Sequence, residues 1–168
     1  MKNADAIALL RAELADDLEL IRANVDKNRE MTQRVDRSSS ADEFEYAALG
    51  YTLHNLYTAF EAYFLRVAKF FENELDQSGW HKSLVERMTL TVPGVRPALL
   101  DREMARRLYE LLQFRHVFRN LYKSRLVPEK VRWANSAAEE IVAAFEPQHA
   151  RFDAFLADLA ERLDTEDE

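Results

Sequence analysis

The segment Phe114-Arg115-His116-Val117-Phe118-Arg119-Asn120-Leu121-Tyr122 puts two arginines, a histidine, an asparagine and a tyrosine into nine residues. On a helix turning 100° per residue, Arg115, Arg119 and Tyr122 fall within about 60° of one another, and His116 and Asn120 form the neighbouring i,i+4 pair. One broad polar surface results. It suits cleavage of RNA: guanidinium groups hold a phosphate and its developing charge, and imidazoles, which titrate near neutral pH, move protons on the 2′-hydroxyl or the leaving oxygen. No metal or cofactor is required. The same spacing also serves a helix whose arginines and histidine merely pair with acids on neighbouring helices.

Two further residues belong with this group. Glu61 lies among aromatics, where an acid needs a partner, and an arginine such as Arg115 or Arg119 is the obvious one. His54, seven residues earlier, falls within about 20° of Glu61 on a helix and can line the same cleft. Trp80 and His81 read as packing residues, with base stacking the other reading of Trp80. Metal sites find no support, because no His-x3-His, His-Glu-x-x-His or Asp-x-Asp-x-Asp-Gly spacing occurs.

These residues need long helices to position them. The chain has 168 residues and is 48% hydrophobic, with three glycines, four prolines and no cysteine. That suits one domain with a real core, excludes a disulfide framework, and leaves too little turn chemistry for a β-sandwich or a glycine-rich phosphate loop. Apolar residues at Ile7, Leu10, Leu14, Leu18, Ile21 and Val25 mark one face of a helix over about 4–34. The run Arg37 to Glu43 predicts a serine N-cap with an acid about three residues later, starting an aromatic-rich central helix over about 43–75. A short helix over Trp80–Met88 and a constrained loop at Val92-Pro93-Gly94-Val95-Arg96-Pro97 follow. Asp101 can cap a helix over about 102–123, and Pro128 suits the first turn of a fifth over about 128–163, with a kink near Pro147. The expectation is an all-α antiparallel bundle of four long helices plus one short one. It forms a single domain over 1–165 with a frayed acidic tail at 166–168.

The net charge of −7 argues against a protein that binds nucleic acid over its whole surface. Between Arg102 and Arg132, however, nine basic residues face three acids, so this segment carries +6 and the remainder −13. A basic strip on an acidic body can bind phosphates, and the alternative is a solvated charged face. No stretch approaches a membrane span and the N-terminus lacks a signal architecture, so a cytoplasmic location is expected.

The segment Arg115 to Tyr122 resembles the signature helix of HEPN proteins, in particular the HepT-like toxins paired with minimal nucleotidyltransferase antitoxins. The runs Leu53-His54-Asn55-Leu56-Tyr57-Thr58-Ala59-Phe60-Glu61, Gly79 to Met88 and Val92 to Pro97 are similar to other blocks of one HepT-like branch, and the likeness covers roughly residues 45 to 160. It implies an all-helical homodimer whose signature helices share a cleft, with metal-independent endoribonuclease activity. The usual pattern is Arg-x4-His-x-Tyr. Arg115 and Tyr122 occupy its ends, and Asn120 stands in place of the histidine. Asparagine cannot transfer protons near neutral pH. Either His116, on the same face, takes over proton transfer, or the site is a non-catalytic module that binds RNA, a nucleotide or a partner protein. The likeness also implies that a nucleotidyltransferase antitoxin adds adenylyl groups to Tyr122 (AMPylation), which would place a bulky anion beside Arg115 and Arg119.

Overall fold

The computed structural model describes residues 3–72, 80–120 and 125–166. Six helices account for nearly all of them: α1 (Ala4–Arg37), α2 (Glu43–Phe71), α3 (Trp80–Met88), α4 (Arg102–Phe118), α5 (Pro128–Ala138) and α6 (Ile141–Glu166). The all-α expectation holds, with α1, α2, α4 and α6 as the long members. Among the described residues the only β pairing is one isolated bridge between Val92 and Arg96.

Each predicted apolar position of α1, from Ile7 to Val25, is buried, and Asn3 caps the helix by accepting the Ala6 N–H at 2.9 Å. The cap of α2 is Asp42 rather than a serine. Its carboxylate accepts the Glu45 N–H at 2.9 Å, and the Glu45 carboxylate accepts the Asp42 N–H at 3.1 Å. Both aspartate and serine fit an N-cap, but this reciprocal box needs the acid three residues further on, and Asp42 is the position that has one there. Tyr57, Phe60, Tyr63 and Phe64 are almost wholly buried, which makes α2 the centre of the bundle.

Side-chain pairs fix the helix directions. Arg66 of α2 binds Asp17 at 2.7 Å, while Asn28 of α1 donates to Thr52 at 2.9 Å, so numbers rise on one helix as they fall on the other. Arg11–Asp153 and Arg22–Glu146, both at 2.7 Å, set α6 antiparallel to α1 in the same way.

The expected fifth helix is divided. A turn at Glu139–Glu140 separates α5 from α6, whereas Pro147 sits on an exposed position inside α6. The division lets the two pieces bury different faces: Val131, Ala134 and Ala138 pack beside α2 and α4, and Ile141, Phe145, Phe152 and Leu156 fill the core beside α1 and α2. Arg107 of α4 reaches the turn and pairs with Glu140 at 3.2 Å. Sequence periodicity runs on through such a break, because both pieces remain amphipathic.

Two polar anchors hold α4 in place. Asp101 accepts the Met104 N–H at 2.7 Å as its N-cap, and buried Gln148 of α6 both accepts the Asp101 N–H at 2.8 Å and donates to its carboxylate at 3.0 Å. The loop before α4 turns at Gly94, whose φ of 73° favours glycine. It buries Arg96, which pairs with Glu72 just beyond α2 and donates to the carbonyls of Arg87 and Leu90 at 2.9 and 3.0 Å. The Val92 to Pro97 block is thus a structural clasp.

Candidate active site

The buried side of α4 is Met104, Ala105, Leu108, Leu111 and Phe114, and it lies across α2. At its C-terminal end Phe114 and Phe118 stack with centroids 5.6 Å apart. They settle over Gly50 of α2, where an added Cβ would sit 2.6 Å from the Phe118 ring. Glycine there permits the close approach that brings the next residues of α4 onto α2.

Arg115 is the first of these. Its guanidinium pairs with Glu61 at 3.3 Å and lies 5.4 Å from the centre of the Tyr57 ring, a cation–π arrangement. Both charged side chains are about nine-tenths buried, so the carboxylate supplies the compensation that a buried cation requires. Burial, with the Glu61 carboxylate adding to it, raises the Tyr57 hydroxyl far above the ordinary phenol range, so it stays protonated. Burial also lowers the His54 imidazole, and the fields of Arg115 and Arg119 act in the same direction. The His54 ring packs against Phe118 at 6.2 Å. Among the described residues His54 Nδ1, Tyr57 Oη and Arg115 Nε are shielded from solvent without a hydrogen-bond partner, so this corner keeps unused polar capacity.

Leu112, Arg115, His116, Arg119 and Asn120 line an open cavity of about 350 Å³. Four of the five polar residues expected to share a surface therefore do so. The helix, expected to continue to about residue 123, ends at Phe118, with Arg119 and Asn120 in a turn. Asn120 explains the stop: its side-chain N–H donates to the His116 carbonyl at 2.8 Å and its backbone N–H to that of Val117 at 3.0 Å, closing the last turn tightly. Arg119 retains helical dihedrals, so it stays near Arg115. Tyr122 lies outside the described residues, as do the side chains of Trp80 and His81. His116, Arg119 and Asn120 are exposed.

Pairing redistributes the basic strip. Arg106 and Arg107 bind Glu103, Glu110 and Glu140, and Arg132 binds Asp36. Arg119, Arg125 and Lys130 have no carboxylate partner among the described residues. Sequence reading missed Tyr57 and Gly50. Tyr57 lies on the helix face of His54 and Glu61, and Gly50 is a lone glycine inside a helical pattern, which marks a close approach. It had no signal for Gln148.

A family model described as "HepT-like protein" matches residues 48–156, well over half of the chain. The chain belongs to the HepT-like family. No curated protein and no solved structure matches it. For a HepT-like, HEPN-type chain, the matched region runs from Ala48 in α2 into α6 and holds every residue of the cavity together with Glu61, His54 and Gly50, while α1 lies before it. Among the described residues there is no group of three His, Asp or Glu placed to hold a metal ion, and no helix is long and apolar enough to cross a membrane.

Proposed function

We propose that this HepT-like protein is a metal-independent endoribonuclease, the toxin of a pair whose antitoxin is a minimal nucleotidyltransferase. The observation that carries the proposal is the gathering of Arg115, His116, Arg119 and Asn120 around one cavity, with Arg115 held from behind by Glu61. Arg119, exposed and without a carboxylate, is best presented to a phosphate. Arg115 contributes a cation whose orientation Glu61 and Tyr57 fix in advance, so little reorganisation accompanies binding. The Oδ1 of Asn120 accepts a hydrogen bond from substrate while its amide N–H closes the helix.

His116 takes the proton from the RNA 2′-hydroxyl. The 2′-oxygen bonds to the adjacent phosphorus, the bond from phosphorus to the 5′-oxygen breaks, and that oxygen receives a proton. The products are a 2′,3′-cyclic phosphate and a 5′-hydroxyl. A homodimer with facing α4 helices would supply two His116 imidazoles to one cleft, one as base and the other as acid. Adenylylation of Tyr122 by the antitoxin would put a competing anion near Arg119.

Incubation of the purified protein with total bacterial RNA in EDTA, beside the His116→Ala protein, tests this. Cleavage with cyclic-phosphate ends by the wild type alone is expected. Intact mass excludes a modified Tyr122 as the reason for inactivity, and unmodified protein that leaves RNA whole would overturn the nuclease. One observation favours a second reading, a non-catalytic RNA-binding module: Asn120, where the family pattern has histidine, donates its amide N–H to the His116 carbonyl and cannot act as an acid or base near neutral pH. RNA binding lost with Arg119→Ala but unchanged in His116→Ala, without turnover, is its signature.

A further inference from the structure

Beside the cavity, on the adjoining face of the same last turn of α4, lies a groove of about 390 Å³ between α4 and α5. Its walls are Val117, Leu126, Val127 and Trp133, with Arg125 and Lys130 at its edge. Three of these apolar side chains are unusually open for their size: Trp133 is 57% exposed, Val117 46% and Val127 40%. A soluble helical surface seldom gathers such residues in one concavity without a ligand. The Trp133 indole makes no aromatic contact with any other described ring, so its face is available for stacking.

The charged groups of the groove are both cationic, and neither has a carboxylate partner among the described residues. An exposed indole flanked by unpaired cations is the chemistry that receives a base and its backbone from a single strand, since every base has a π-face and every link a negative charge. The groove also adjoins the phosphate cavity. His116 and Val117 are consecutive, one lining the cavity and the other the groove, so a phosphate at Arg119 and a base against Trp133 can belong to one chain.

We propose that this groove is a nucleobase subsite for single-stranded RNA, in which Trp133 stacks on a base adjoining the phosphate at Arg119, with Arg125 and Lys130 holding the backbone. The proposal rests on the RNA reading of the site and deepens it. It makes unpaired strands the preferred substrate class, because a base within a duplex cannot reach the indole.

The probes are a 2′-O-methyl penta-adenylate, which lacks the attacking hydroxyl, and an abasic oligomer with the same number of phosphates. In the Trp80→Phe protein Trp133 is the sole tryptophan, so its fluorescence reports the groove. Saturable quenching by the penta-adenylate is expected, together with affinity about tenfold tighter than for the abasic oligomer. Trp133→Ala should remove that difference, Trp133→Phe should keep most of it, and Arg119→Ala should weaken both probes alike. If Trp133→Ala leaves the discrimination intact while both probes bind, the subsite is wrong and the RNA reading stands. Binding of neither probe would bring down the RNA reading and the subsite with it. A change of sedimentation in Trp133→Ala would make the groove an interface between copies, and would overturn the proposal.

Discussion

Glu61 is the carboxylate that makes a buried Arg115 tolerable, and a prediction follows from its burial. Glu61→Ala leaves an uncompensated guanidinium beside Tyr57, and unfolding stability should fall by about 3 kcal/mol, read from denaturant titration. No loss would mean that Arg115 turns outward to water instead. The histidines give a second prediction. Burial lowers both His54 and His149 below their ordinary value of 6.5, and Nδ1 of His149 lies 2.8 Å from the Tyr63 hydroxyl. The folded state therefore resists protons that the unfolded chain accepts. The stability this contributes is complete above pH 6.5 and is lost as pH falls through the lowered folded values. Tm should drop on acidification from about pH 7.5 to about pH 5, and the drop should be shallower in His149→Gln. Equal slopes would show that other groups govern acid stability.

The approach of α4 to α2 depends on Gly50. Alanine in a helix interior is ordinarily favoured over glycine by about 1 kcal/mol, but here its Cβ would stand 2.6 Å from Phe118, and overpacking costs about 1–3 kcal/mol. Gly50→Ala should bring no gain in Tm and should reduce activity, because Phe118 moves and carries Arg119 with it. Phe118→Leu in the same protein should restore part of the Tm, and a Gly50→Ala protein more stable than the wild type would contradict the packing argument. Most helices were legible from apolar spacing and capping residues, including Asp101 and Pro128. The cap at Asp42, the end of α4 at Phe118 and the turn at Glu139–Glu140 were not. Each depends on which of several competent residues finds its partner, or on which face a helix must bury, and periodicity carries neither.

The charge of the whole chain looks unsuited to nucleic acid at −7, yet folding sorts its cations. Arg106 and Arg107 of α4 are paired with Glu103, Glu110 and Glu140 and Arg132 of α5 with Asp36, whereas Arg119, Arg125 and Lys130 have no carboxylate partner among the described residues. With three phosphate contacts per protomer, the logarithm of affinity for single-stranded RNA should fall against the logarithm of salt with a slope of about −2. A fluorescence anisotropy series from low to physiological salt measures it. A slope near zero would exclude phosphate recognition here, and a much steeper one would mean that paired arginines open to the ligand.

Residue types and spacing were enough to establish an all-helical bundle, its central helix and the polar group of α4, since amphipathic periodicity and helical angles are local properties of the chain. They also placed Glu61 with an arginine, because a buried acid demands a cation, while leaving Arg115 and Arg119 as equal candidates. Folding chose Arg115, left Arg119 open, and set Trp133 of α5 in one groove with Val117 of α4. Those outcomes depend on how α2, α4 and α5 pack across one another, where burial and distance between remote residues, rather than spacing along the chain, decide which charges are satisfied and which remain for a ligand.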